Sequence, residues 1–130
     1  MPMTPETRKM IFTALSAALR NQCPPMVCVK DTSSAFEIIG NVPVPYGSTK
    51  KIVPGMYFAS VVARKEMVSF YFMPIYYHRE AFEKIAPGLL TCLKGKACFN
   101  FRKADQLNAK ELEALLGKGA QAWKKLGYIR

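Results

Sequence analysis

At 130 residues, half of them hydrophobic, the chain is sized for a single domain spanning 1–130 and can bury a core without disulfides or a structural metal. Apolar residues run throughout, which excludes disorder over nearly the whole length and leaves only the first few residues and Arg130 loose. Glu6, Arg8, Lys9 and Arg20 interrupt residues 1–20 before any apolar run reaches secretory or membrane-spanning length, so the expected setting is cytoplasmic, without membrane contact. The net charge of +10 favours encounter with an anionic ligand, nucleic acid or an acidic protein, although the Lys and Arg residues are scattered and a solvated basic surface accounts for them more readily.

In chain order, Thr4 before Pro5 has the form of an N-cap followed by proline at the first helical position, and Ile11, Ala14, Leu15, Ala18 and Leu19 share one stripe. This predicts an amphipathic helix over 4–20. Asn21 can end it in a left-handed conformation, and Pro24-Pro25 forbids continuation. Extended segments follow at 27–30, 36–41, 56–64 and 66–73, rich in β-branched and aromatic residues and separated by turn formers. The link Arg64-Lys65-Glu66 is too short for a helical crossover, so its flanking strands pair as a hairpin. The prolines of Val42-Pro-Val-Pro-Tyr-Gly-Ser-Thr-Lys-Lys-Ile-Val-Pro-Gly55 mark a loop or a frayed edge hairpin.

Downstream, Phe82, Ile85 and Ala86 fall on one side of a short helix over 79–86, closed by Pro87-Gly88. A last strand occupies 97–101. The final helix, about 108–126, opens with Asn108 and Glu111 in a capping arrangement and carries Leu112, Leu115, Leu116, Ala120, Trp123 and Leu126 at helical spacing before Gly127 stops it. Gly117 and Gly119 each cost on the order of 1 kcal/mol against alanine, so Gly119, near the apolar stripe, is read as allowing close approach to the sheet. The sum is an α+β domain of two layers, two long helices packed on one face of an antiparallel sheet.

Two strings carry a likeness: Val68-Ser-Phe-Tyr-Phe-Met-Pro74, and Leu93-Lys-Gly-Lys-Ala-Cys-Phe-Asn-Phe101 with Ala104-Asp105 and an amphipathic helix behind it. Through them, and in element order over roughly residues 36–127, the chain resembles the YdhG-like bacterial family, a domain of unknown function. The resemblance implies a frataxin-like fold and, from one branch of the family, a frataxin-like intracellular iron chaperone. Iron held in that manner needs several carboxylate oxygens close together. The first helix offers Glu6 against Arg8, Lys9 and Arg20, and the chain has nine acids in all, so the fold carries over more readily than the iron.

The richest candidate surface surrounds the turn Lys94-Gly-Lys96. Period-two alternation sends Phe99 and Phe101 into the core and Cys98, Asn100 and Arg102 to the other face, where Ser69 and Tyr71 also fall. Tyr71, Lys94, Lys96, Asn100, Arg102 and Lys103 would then form a basic, aromatic sheet face able to stack a ring or hold an anion. The competing reading is an ordinary wet face of an antiparallel sheet. Cysteines at 23, 28, 92 and 98 match neither a zinc ribbon nor a redox C-x-x-C motif and read as small hydrophobes. His78, the sole histidine, has only Glu80 beside it and reads as a capping or hydrogen-bonding residue. Gly47-Ser-Thr-Lys-Lys51 lacks the order of a phosphate loop, Glu80 and Glu83 alternate with Arg79 and Lys84 on a solvated face, and the methionines read as core fillers. No cofactor, metal site or catalytic residue is assigned. The expected function is a non-enzymatic binding module for an anionic or aromatic ligand; the alternatives are the iron chaperone and a structural or interaction module, monomeric or dimerising through an edge strand near the proline-rich loop.

Overall fold

Thr4 caps the first helix as its sequence suggests: its hydroxyl oxygen accepts from the Thr7 amide, Pro5 occupies the first turn, and α1 runs Pro5–Arg20. The computed structural model describes residues 3–77 and 79–130. Ile11, Leu15 and Leu19 are buried on α1 while Ala14 is exposed, so the stripe is narrower than its spacing suggested. Asn21 is right-handed (φ −66°, ψ −14°), not left-handed. Hydrogen bonding simply continues past the helix, with the Gln22 and Cys23 amides donating to the Leu19 and Arg20 carbonyls, so no left-handed residue is needed there.

The strands are β1 (Val27–Asp31), β2 (Ala35–Ile39), β3 (Val44–Tyr46), β4 (Lys51–Val53), β5 (Tyr57–Ala63) and β6 (Val68–Phe72). A 3-10 turn, Met73–Tyr76, leads to α2 (Arg79–Ile85) and the short α3 (Pro87–Leu90), then come β7 (Leu93–Lys94), β8 (Cys98–Phe101), a second 3-10 turn (Ala104–Gln106) and α4 (Ala109–Lys125). The fold is α+β. Its main sheet has six strands in the order β1-β2-β5-β6-β8-β7, every neighbouring pair antiparallel. Of the two readings of residues 42–55 the hairpin holds, but it is not an edge of the main sheet: β3 and β4 pair antiparallel as a separate two-stranded ribbon. The helix before Pro87 ends at Ile85, with Ala86 out of the helical region as a residue before proline must be, and Pro87 itself opens α3, where a missing amide hydrogen costs nothing.

One face of the sheet supplies the core. Phe36, Val61, Phe70 and Phe99 stand opposite one another across four strands, and each is at most 1% exposed. Burying each such side chain contributes roughly 1.5–3 kcal/mol. Phe72 packs edge-on against Phe58 and Phe82, and Trp123 of α4 meets Phe58, Tyr77 and Tyr128. Leu112, Leu115, Leu116 and Trp123 are the buried stripe of α4, whereas Leu126 lies at the C-cap and is 51% exposed. Asn108 caps α4 by accepting from the Glu111 amide, and Gly127 takes the left-handed φ of +85° that ends it. The C-terminus is not loose: Arg130 donates its amide to Asn41 Oδ1, and Asn41 donates back to the Arg130 carbonyl.

Candidate functional site

With the phenylalanines turned inward, period two turns their neighbours to the opposite face of the sheet. Register carries one row across all six strands: Lys30, Glu37, Ser60, Tyr71, Cys98 and Lys94. The adjacent row is Ala35, Val62, Ser69 and Asn100. In these rows the polar side chains bond to one another. Ser69 Oγ donates to Asn100 Oδ1 at 2.9 Å and accepts from Arg64 Nε at 3.0 Å. Arg64 Nη2 reaches the Tyr71 hydroxyl at 2.6 Å, and Cys98 Sγ lies 3.5 Å from Asn100 Oδ1. Ser69 is only 1% exposed although it stands on the side away from the core, because Arg64 folds back over it.

Toward the other end of the face, the β3–β4 ribbon and the sheet together border an open cavity of about 550 Å³. Its walls are Tyr46, Val53 and Pro54 from the ribbon side, Val29, Glu37 and Ile39 from β1 and β2, and Tyr57, Tyr71, Met73 and Ala97 from β5 onward. Two features of the backbone shape it. An irregularity between Ile38 and Ile39 sets Ile39 opposite Tyr57 and both toward the cavity. Gly55 also lines it and lies directly against the Gly40 carbonyl, so any Cβ at 55 would collide with that backbone, and the ribbon enters the sheet only through glycine.

Among the described residues Glu37 is the one charged member of the lining; Lys30 stands across the β1–β2 ladder from it, and Arg64 bonds the Tyr71 hydroxyl from outside the lining. Tyr57 shares a short hydrogen bond with Ser60. Burial pushes its phenol up to about 12, the Ser60 bond pulls in the opposite direction, and the Glu37 carboxylate adds to the rise. At neutral pH the cavity therefore presents Tyr57 as a neutral phenol, beside the Tyr46 and Tyr71 rings and the Glu37 side chain. Chemically it can enclose, stack and orient. Ser69 and Cys98 touch an amide and a guanidinium, neither of which is a general base, so these two are not activated as nucleophiles by those contacts.

The six residues singled out from sequence separate. Tyr71 lines the cavity, Asn100 joins the polar row, and Lys94 stands exposed opposite Cys98 at the end of the first row. Lys96 extends elsewhere, its Nζ 5.3 Å from the centre of the Tyr76 ring. Arg102 and Lys103 lie past the last residue of β8, exposed, with both backbone amides donating to Gln106 Oε1 at 2.7 and 2.9 Å. His78 falls outside the described residues. Of the cysteines, Cys92 is buried and Cys23 and Cys98 are half-buried, but Cys28 is exposed on β1 and is no core residue. Sequence reasoning missed Glu37, Tyr46, Tyr57 and Arg64. Period two along β2 sets Glu37 on the face away from Phe36 and Ile38, which is the one local signal for it, whereas the separate β3–β4 ribbon that borders the same cavity leaves none. A smaller hollow of about 350 Å³ lies between Pro74, Phe82 and the Lys118, Gln121 and Lys125 side of α4.

No helix among the described residues is long and apolar enough to cross a membrane. Comparison with known proteins gave no matching family model, no matching curated protein and no matching solved structure.

Proposed function

We propose that this chain is a non-enzymatic binding module whose recognition site is the open face of its sheet, with the cavity under the β3–β4 ribbon taking an aromatic or apolar ligand. On this reading the frame is two-layered, α1 and α4 lying together on the opposite face, the frataxin-like arrangement that the YdhG-like resemblance implies. One observation supports the choice above all: a cavity of about 550 Å³ walled by Tyr46, Tyr57 and Tyr71 has the size and lining of a small-molecule site. The anionic half of the expected ligand loses ground here, since Lys94, Lys96, Arg102 and Lys103 are not among the cavity's walls. The iron-chaperone alternative draws nothing from the first helix, where Glu6 is the only acid. The interaction alternative shifts to β1, the long outer strand of the sheet, whose five residues are all exposed.

Ligand-observed NMR with small neutral aromatics such as indole and 2-naphthol tests the site. Binding should be lost in Tyr57→Ala and Tyr71→Ala, each checked for folding through the buried Trp123 fluorescence, and retained in Arg102→Ala. Binding that survives both tyrosine changes, or that vanishes only with Arg102, overturns the assignment.

A further inference from the structure

The charge inside the cavity is opposite in sign to the charge of the chain. Net charge is +10, yet the only charged wall residue is Glu37. This carboxylate is half-buried on β2 and belongs to neither ion pair found among the described residues, Arg20–Asp31 and Arg79–Glu83. Lys30 stands opposite it across the β1–β2 ladder but does not come within ion-pairing distance. Its other ladder neighbour, Ser60, is engaged with Tyr57. Around the acid stand the three tyrosines, whose rings are not packed against one another in any of the aromatic pairs of the core.

Aromatic faces carry negative quadrupole density, and a carboxylate among them completes the electrostatic complement of a weakly hydrated cation. A strongly hydrated inorganic ion would instead need several oxygen ligands, and this apolar lining does not provide them. Building on the reading of this cavity as the ligand site, we infer that its ligand is an organic cation, an aromatic or alkyl body bearing a methylated ammonium, with the ammonium placed between Glu37 and the tyrosine rings. Two cations stand at close range, Lys30 across the ladder from Glu37 and Arg64, whose Nη2 meets the Tyr71 hydroxyl at 2.6 Å, but neither is part of the cavity lining; the field of the more distant lysines and arginines is screened beyond about 8 Å at physiological ionic strength, so Glu37 and the ring faces decide the preference inside the cavity. The neutral Tyr57 phenol keeps its ring from acquiring a charge over the physiological range.

The test uses three phenols of nearly one shape, titrated against the intact chain and followed in its amide NMR spectrum: 3-(trimethylammonio)phenol, its carbon isostere 3-tert-butylphenol, and 3-hydroxybenzenesulfonate. The cation should bind on the order of tenfold more tightly than the isostere, and the sulfonate weakest of all. Glu37→Gln, which keeps shape, should remove that advantage and leave the isostere's affinity unchanged. Tyr46→Leu, on a 52% exposed residue whose replacement spares the core, should weaken the cation selectively. Equal affinity for cation and isostere, or indifference of the cation to Glu37→Gln, overturns the inference and leaves the aromatic site standing. Failure of all three phenols to perturb the cavity residues overturns both.

Discussion

The packing of α4 on the sheet is tested most sharply by a pair of glycines two residues apart. A Cβ added at Gly117 meets nothing within 4 Å, while one at Gly119 falls 2.5 Å from Phe72 Cζ, 2.9 Å from Phe72 Cε1 and 3.1 Å from Pro74 Cγ. The Phe72 ring cannot yield cheaply: it is fully buried and held by Phe58, Phe70 and Phe82. Alanine at either position gains about 1 kcal/mol of helix propensity, and at 119 that gain is set against an overpacking cost of about 1–3 kcal/mol. Gly117→Ala should therefore stabilise by about 1 kcal/mol, while Gly119→Ala should be neutral to destabilising by about 2 kcal/mol. Denaturant unfolding followed by Trp123 fluorescence gives both values on one scale, and in thermal melts a separation of 1 kcal/mol corresponds to about 4 °C for a chain of this size. Equal stabilisation by the two alanines would refute the close approach of α4 to β6 and with it the packing of Phe72.

Two further outcomes follow from the same geometry. Because burial raises the Tyr57 phenol to about 12, the unfolded chain loses this proton from pH 10 upward while the folded chain keeps it, so stability falls as pH rises from 10 toward 12. A spectrophotometric titration should show a late-ionising tyrosine that disappears in Tyr57→Phe, and the variant should lose part of the alkaline destabilisation; an unchanged titration would contradict the burial of this ring. Asn108→Ala, which removes the oxygen that accepts the Glu111 amide at 3.1 Å, should cost about 1 kcal/mol in the same denaturant assay, and a change below a few tenths would mean that the cap is supplied otherwise.

How much of this was legible depended on whether the cause was local. The N-caps at Thr4 and Asn108, the stop at Gly127 and the inward Phe99 and Phe101 are written in spacings of one to four residues, and the structure has each of them. Asn21 misled because this residue type is compatible with two outcomes, and the hydrogen bonds of the following turn, not the residue itself, select one. The cavity was hidden for a different reason. Its walls come from residues as far apart as Val29 and Ala97, and two backbone events bring them together: the irregularity at Ile38 and Ile39, and the Gly40–Gly55 contact that brings the ribbon to the sheet. Neither leaves a periodic trace. Basic residues near Lys94-Gly-Lys96 drew attention because they are contiguous, whereas Glu37 is a lone acid in an otherwise apolar strand. Arg102 continued the alternation of β8 by only one residue, and the strand ends at Phe101, where Gln106 takes over the backbone amides.

The claim on which the account rests is that the face opposite the phenylalanines, under the β3–β4 ribbon, is where a ligand sits. A crystal structure of the chain soaked with 3-(trimethylammonio)phenol measures this directly. The account predicts the phenol ring between Tyr46, Tyr57 and Tyr71 with its ammonium beside Glu37; density for it at Lys94, Lys96 and Arg102 with the cavity left vacant would contradict it.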